Sequence, residues 1–315
     1  MNYNTLMQRL ENVSTDNCYP LYVPSVLRPG YHLYTNVIQY LPEWYRKNKV
    51  TYLVRKEWYK KYKTAQPDVK IEVIPESYEH EGYGADTTRK CLFDLAYANG
   101  DKNIFDWDDD INLLTFAYGA EHTTRRLRKD DQHKYALNIL SLASEISNEA
   151  FDKYPRLCLG AISRVTPSTC NVDYHKTKLI INKGPVPRCA NIVGVSRMKK
   201  HKLERTGMFD KQMEDMGIDF QILEKRGQLF SLPSVIYAVP AMKDNERTEP
   251  RIQGCVGNTK PLWDDGLEKL MTFDTGKYVT FTSRNKEFNG DHQPVGINWQ
   301  KYNKAYGMKS IVEEW

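Results

Sequence analysis

The sequence predicts an α/β domain built on a mostly parallel β-sheet with helices on both faces. Two observations carry this expectation. Over the first 115 residues, short apolar runs alternate with amphipathic helical stretches. The fourth apolar run then ends in a dense block of carboxylates, Asp106-Trp107-Asp108-Asp109-Asp110. Ligands of such sheets bind beyond the carboxyl ends of the strands, which is where this block falls.

Taken in order, Tyr19–Ser25 reads as a strand that Arg28-Pro29-Gly30 interrupts, and Tyr31–Tyr45 has a helical pattern. Val50–Arg55 is a second strand, Glu57–Lys63 a short aromatic and basic helix, and Lys70–Pro75 a third strand. Gly84–Asn99 is helical and stops at Gly100-Asp101. Asn103–Trp107 is the fourth strand, so the loops at Ser25–Gly30, Arg55–Glu57, Pro75–Thr88 and Asp106–Asn112 are expected on one edge. Beyond it, Thr123–Lys134 reads as a charged loop or exposed helix start, Tyr135–Tyr154 as a long helix and Leu157–Ser163 as a strand. Ser168–Asn191 reads as irregular, Phe209–Gly227 as helical, Asp244–Pro261 as turn-rich and Lys277–Ser283 as a strand. The expected division is residues 1–115 and residues 116–315, as halves of one unit.

Composition narrows the function classes. With 315 residues, 40% hydrophobic and 27% charged, the chain can bury a large core and has the balance of a water-soluble protein. The N-terminal Met1–Asn17 is polar, and no run of apolar residues is long enough to span a bilayer, so neither a signal peptide nor a membrane anchor is expected. Cysteines at 18, 91, 158, 170, 189 and 255 show no CxxC or Cys/His spacing, which argues against a zinc site or disulfide framework and for reduced, cytoplasmic thiols. A net charge of +5 does not by itself mark a nucleic-acid binder, but it allows a local basic face. The 21 Tyr and 6 Trp supply rings suited to packing or to stacking on a sugar or base.

The acidic block places four carboxylates in five positions at a strand end. Such crowding costs on the order of several kcal/mol unless a cation compensates it. Alternate residues of an extended segment face the same way, so Asp108 and Asp110 can address one hard ion while Asp106 or Asp109 orients the site. Mn²⁺ or Mg²⁺ is the expected cofactor, because both prefer oxygen ligands and complete their shells with phosphate oxygens. The competing reading is a solvated acidic turn that caps a neighbouring helix.

The segment Tyr22-Val23-Pro24-Ser25 through Arg28-Pro29, the run Thr87-Thr88-Arg89 and the triplet Asp108-Asp109-Asp110 together resemble GT-A type glycosyltransferases. The resemblance covers roughly the first 115 residues and is greatest to the phage enzymes that decorate hydroxymethylated pyrimidines in DNA, the TET-associated glycosyltransferases. It implies a GT-A fold, Rossmann-like, with the acceptor bound by the C-terminal half. It also implies a donor site formed by Pro24, Ser25, Arg28, Arg55, Arg89, Asp108 and Asp109, and a metal held by Asp108, Asp110 and His292, with His175 as the rival histidine. Arg28 and Arg89 suit bidentate pairing with phosphate oxygens. The pair Glu214-Asp215, about 105 residues after the triplet, matches the acidic pair of the family's acceptor half. A carboxylate there can take the proton of an acceptor hydroxyl; Asp215 is the first choice and Glu214 the second.

The implied reaction moves a sugar from a UDP-type nucleotide-sugar to a hydroxyl (EC class 2.4). The implied acceptor is 5-hydroxymethylcytosine or 5-hydroxymethyluracil of phage DNA in the cytoplasm of an infected bacterium. Lys183, Arg188, Arg197, Lys199, Lys200, His201, Lys202 and Arg205 fall within one 23-residue stretch and can meet DNA phosphates, as can Arg125, Arg126, Arg128 and Lys129. Of these, Arg188, Lys199 and Lys200 are the expected acceptor contacts, with Trp263, Trp299 or Tyr302 available to stack on an extruded base. The rival functions are a polysaccharide or protein glycosyltransferase of the same fold, a nucleotidyltransferase, and a metal-dependent nuclease. The nucleotidyltransferase is disfavoured because no Gly-rich loop followed by Lys stands at the first strand.

Overall fold

Short runs of β-branched, aromatic and aliphatic residues form a parallel array in the computed structural model of the chain. It describes residues 1–25, 37–78, 84–120, 123–164, 175–183, 190–206, 208–209, 213–238, 260–281 and 295–315. The elements of the first part are α1 (Tyr3–Asn12), β1 (Leu21–Pro24), α2 (Glu43–Lys49), β2 (Val50–Val54), α3 (Tyr59–Ala65), β3 (Lys70–Val73), α4 (Ala85–Ala98) and β4 (Ile104–Trp107). All residues of β2 and of β4 are buried, the mark of strands covered on both faces. The strands lie in the order β3-β2-β1-β4, every pair parallel, with Leu21 opposite Val50 on one side and opposite Phe105 on the other. Their carboxyl ends therefore share one edge, as expected from the sequence. Gly100, at φ +79°, closes α4: its amide and that of Asp101 bond back to Tyr97 and Ala96.

The second part continues with β5 (Leu113–Ala120), β6 (Thr123–Arg126), α5 (Lys129–Lys134), α6 (Ala136–Lys153), β7 (Leu157–Arg164), β8 (Thr177–Ile181) and β9 (Ala190–Val193). It then adds α7 (Val195–Lys200), α8 (Glu214–Glu224), β10 (Gln228–Ala238), α9 (Lys260–Met271), β11 (Val279–Phe281), β12 (Val295–Ile297), α10 (Trp299–Tyr306) and β13 (Ile311–Glu314). Beyond β4 the sheet becomes mixed. Strand β9 joins β4 antiparallel, β7 follows β9, β10 runs parallel to β7, and β8 and β13 complete that side. Strand β5 pairs with β10 and forms a hairpin with β6. Among the described residues this makes one eleven-stranded sheet beside the separate pair β11-β12.

Alternation along the strands sends side chains to two apolar clusters. Leu21, Val23, Phe105 and Trp107 pack with α1 and α6, whereas Tyr22, Leu53 and Ile104 pack with α4, α7 and α8. Helices on both faces are what the sequence predicts. No described helix is long and apolar enough to cross a membrane. Cys18, Cys91 and Cys158 are buried and free, and burial pushes the Cys91 and Cys158 thiols up to about 11.

Several local expectations are corrected. The described part of Tyr31–Tyr45 is a 3-10 turn, Val37–Tyr40, followed by the first residues of α2, Glu43–Tyr45, with Pro42 as the N-cap between them. Thr123–Lys134 is the strand β6 followed by α5, and buried Leu127 anchors the junction. Ser168–Asn191 contains β8 and the start of β9, whose apolar runs are too short to show a period. The eleven-residue β10 lacks a strand-like alternation because both its faces are buried, and its register shifts between Leu232 and Ile236, around Pro233. The helix read over Phe209–Gly227 begins only at Glu214, after Met213 in the left-handed region at φ +61°.

Gly160 of β7 faces the ring of Phe230 on β10, where an added Cβ would lie 2.3 Å from the ring. Phe230 is buried and packs edge-on against Phe151 with centroids 5.4 Å apart, so it has little room to yield. Gly160→Ala is expected to lower stability by about 1–3 kcal/mol through overpacking, read as a lower urea midpoint; an unchanged midpoint would show that β7 and β10 can move apart.

Candidate functional site

The site grows from the carboxyl ends of β1 and β4. Pro24 ends β1, and the Ser25 amide donates to the Leu53 carbonyl at 3.0 Å, which extends the strand pairing by one residue. The Ser25 hydroxyl then donates to Asp109 at 2.5 Å and lies 2.6 Å from the Tyr62 hydroxyl. Burial, with the Asp109 charge beside it, pushes the Tyr52 phenol well above its ordinary value. Asp109 is itself buried, so within the acidic block it points into the protein. Arg55 is half-buried at the end of β2, where it leads into the turn Lys56–Trp58.

Arg89, with 3% of its side chain exposed, is the centre of the arrangement. Its Nε meets both oxygens of fully buried Asp106 at 3.3 and 3.1 Å. One Nη donates to Asp108, and the other lies 3.7 Å from the carboxylate of Asp215. Asn191 of β9 adds a 3.5 Å contact to Asp106. Asp106 is fully enclosed, while Asp108 keeps 33% of its side chain exposed and Asp215 keeps 19%. The protein thus supplies its own cation to an acidic cluster drawn from β4, the segment after it and the start of α8. Asp108 and Asp215, 107 positions apart in the sequence, are brought to one guanidinium.

The other predicted residues are placed differently. Arg28, Arg188 and His292 lie outside the described residues. Glu214 is the first residue of α8. His175 is buried, and its carbonyl accepts from the N-terminal ammonium. The basic stretch after Lys183 does not form one open face. Arg197 donates to the Phe151 and Pro155 carbonyls at the end of α6, Lys199 pairs with Asp94 at 2.6 Å, and Arg205 is buried on Asp86 at 3.2 Å. Lys200 and Lys202 stay exposed, as do Arg125, Arg126, Arg128 and Lys129. Tyr302 is fully buried with its hydroxyl on the Leu223 carbonyl, which makes it core rather than a stacking platform. Asp219, on α8 near the acidic pair, is likewise fully buried. The Ser25–Tyr62–Asp109 chain and the Asp86–Arg205 pair leave no sequence signal, since each joins distant segments.

No family model matches the chain, and no curated protein is similar to it in sequence. Solved structures with partial similarity to the chain include S. aureus TarS (residues 1–349) in complex with UDP, at 10% identity over 81% of this chain and 66% of that one, TM-score 0.42. GalNAc-T7 with UDP, GalNAc and Mn²⁺ aligns at 10% identity over 96% of this chain and 60% of that one, TM-score 0.43. CMP:2-keto-3-deoxy-manno-octonic acid synthetase complexed with CTP aligns at 9% identity over 73% and 95%, TM-score 0.39.

Among the described residues no group of three or more His, Cys, Asp or Glu side chains is arranged as a metal site. The chemistry of the donor set still fits a hard divalent ion, since Mg²⁺-type sites commonly use one or two carboxylates together with substrate phosphates and water. Asp108, the partly open carboxylate, meets that description.

The buried pair Asp86–Arg205, with Arg205 also 5.4 Å above the Phe93 ring, ties the start of α4 to the segment after α7. Asp86→Asn removes a buried negative charge from contact with the Arg205 guanidinium and is expected to cost about 3–5 kcal/mol. The double variant Asp86→Asn with Arg205→Met should recover part of that loss in chemical denaturation. A double variant no more stable than the single one would show that the pair is not the source of the stability.

Proposed function

We propose that the chain is a metal-dependent glycosyltransferase of the GT-A type, which takes a sugar from a UDP-type donor. The observation that carries this reading is the meeting of Asp108 and Asp215 on Arg89, beside the carboxyl edge of four parallel strands. An acidic strand end paired with a carboxylate from the following half supports a site with separate donor and acceptor sides. Residues 1–115 would hold the donor and residues 116–315 the acceptor.

In this reading Asp108 and Asp110 hold Mn²⁺ or Mg²⁺, which when bound neutralises the diphosphate as it leaves. Pro24 and Ser25 border the nucleotide, and the hydrogen bond from Ser25 holds Asp109 between Asp108 and Asp110. Arg28 and Arg55 offer phosphate donors. Asp215 accepts the proton of the attacking hydroxyl, and its contact with Arg89 holds it at the site. Glu214 is the second carboxylate of that pair.

The finer acceptor proposal is a 5-hydroxymethylpyrimidine in phage DNA. It is supported by the motif resemblance and by the exposed basic residues Lys200, Lys202, Arg125, Arg126, Arg128 and Lys129. The chain would then act in the cytoplasm of the infected bacterium. His292 and Arg188 would serve as a metal ligand and an acceptor contact.

Thermal shift with Mn²⁺ and a panel of nucleotide-sugars tests the donor site. One donor is expected to raise the melting temperature at 100 times its Kd by the equivalent of about 2.7 kcal/mol, and Asp108→Ala or Asp110→Ala should abolish the rise. A panel without any stabilising donor speaks against the reading. The acceptor is tested by incubating duplexes with and without hydroxymethylated bases. Sugar transfer confined to the modified duplex and suppressed by salt is expected; transfer only to an oligosaccharide would move the acceptor to another class.

A further inference from the structure

We propose that Arg89 is a positioning residue that couples the donor and acceptor sides, competing with the divalent ion for Asp108 while holding Asp215. The inference rests on the donor-site reading above and deepens it, because the resemblance assigns Arg89 only to the donor.

The geometry is specific. Arg89 has a planar fork whose donors are spent on carboxylates: Nε on Asp106, one Nη on Asp108, the other toward Asp215. Asp106 is fully enclosed and cannot give up a counter-charge, so it fixes the stem of the fork. Asp108 and Asp215 lie at the open end, both partly exposed. The Asp108 carboxylate that accepts from Arg89 is the same partly open carboxylate that the donor-site reading gives to the cation. Binding of the ion therefore weakens the Arg89–Asp108 bond, and the guanidinium charge is left to Asp106 and Asp215. Conversely, any change at Asp215 alters the hold of Arg89 on Asp108, since coupling between two sites is reciprocal. The consequence for the reaction is order: loading of the donor side makes Asp215 the principal outer partner of Arg89 and sets the acceptor-side carboxylate in place.

Mn²⁺ binding by the full chain without nucleotide, followed by the electron paramagnetic resonance of unbound Mn²⁺, tests the coupling without reference to turnover. Arg89→Met is expected to tighten Mn²⁺ binding about tenfold, because a competing cation has gone. Asp215→Asn is expected to weaken it several-fold, because Arg89 turns more fully to Asp108. In the Arg89→Met background the same Asp215→Asn change is expected to have no effect, as a double-mutant cycle requires. Equal weakening by Asp215→Asn in both backgrounds overturns the proposal, because it would be a direct loss of negative charge near the ion. Arg89→Met that binds Mn²⁺ no tighter overturns it as well. If Arg89→Met does not fold, Arg89→Lys replaces it: one ammonium cannot span the carboxylates, so the effect of Asp215→Asn should fall by at least half, and a full effect overturns the coupling. Mn²⁺ binding absent from the wild-type chain and from every variant overturns the donor-site reading itself.

Discussion

A single buried guanidinium sets the terms for the candidate site. Asp106 sits inside the sheet with no access to water, and a carboxylate there is tolerable only with a charged partner in contact. Arg89 meets that requirement from α4, and its remaining donors are then fixed in space. Through these contacts one side chain of α4 joins β4, Asp108 in the segment after it and the start of α8. Asn191 on the neighbouring antiparallel strand closes the other side of Asp106.

Much of the parallel half is legible in the sequence because its signals are local. Val50–Val54 is a continuous apolar run, Gly100 marks the end of α4, and the carboxylate block follows β4 directly. Strands β8, β9 and β10 are hidden for a physical reason. They are buried on both faces, so no polar alternation marks them, and the lysines and prolines around them read as loop. The candidate site divides in the same way. The residue types Arg89, Asp108 and Asp215 stand out from their motifs, but their meeting depends on how β4 and α8 pack, which spacing does not encode.

The basic residues show how far a charge run misleads. In sequence, Arg197, Lys199 and Arg205 belong to one cationic stretch. In the fold they turn to separate tasks: carbonyls at a helix end, a surface carboxylate and a buried carboxylate. A carbonyl-rich helix end attracts cations whatever the protein binds. Arg125 and Arg126 at the end of β6, and Arg128 just beyond it, keep their exposure while Leu127 between them is buried.

Helix α4 carries both Asp86 and Arg89, each committed to a charge on another segment. A lineage that loses the arginine at 205 removes a buried counter-charge from the carboxylate at 86, and one that loses the carboxylate at 106 removes from the arginine at 89 the fully enclosed member of its three carboxylates. Neither position is free to drift alone, so substitution histories along this helix should record paired replacements at 86 with 205 and at 89 with 106, while Lys90, one turn from Asp86 and partly exposed, varies without a partner in that record.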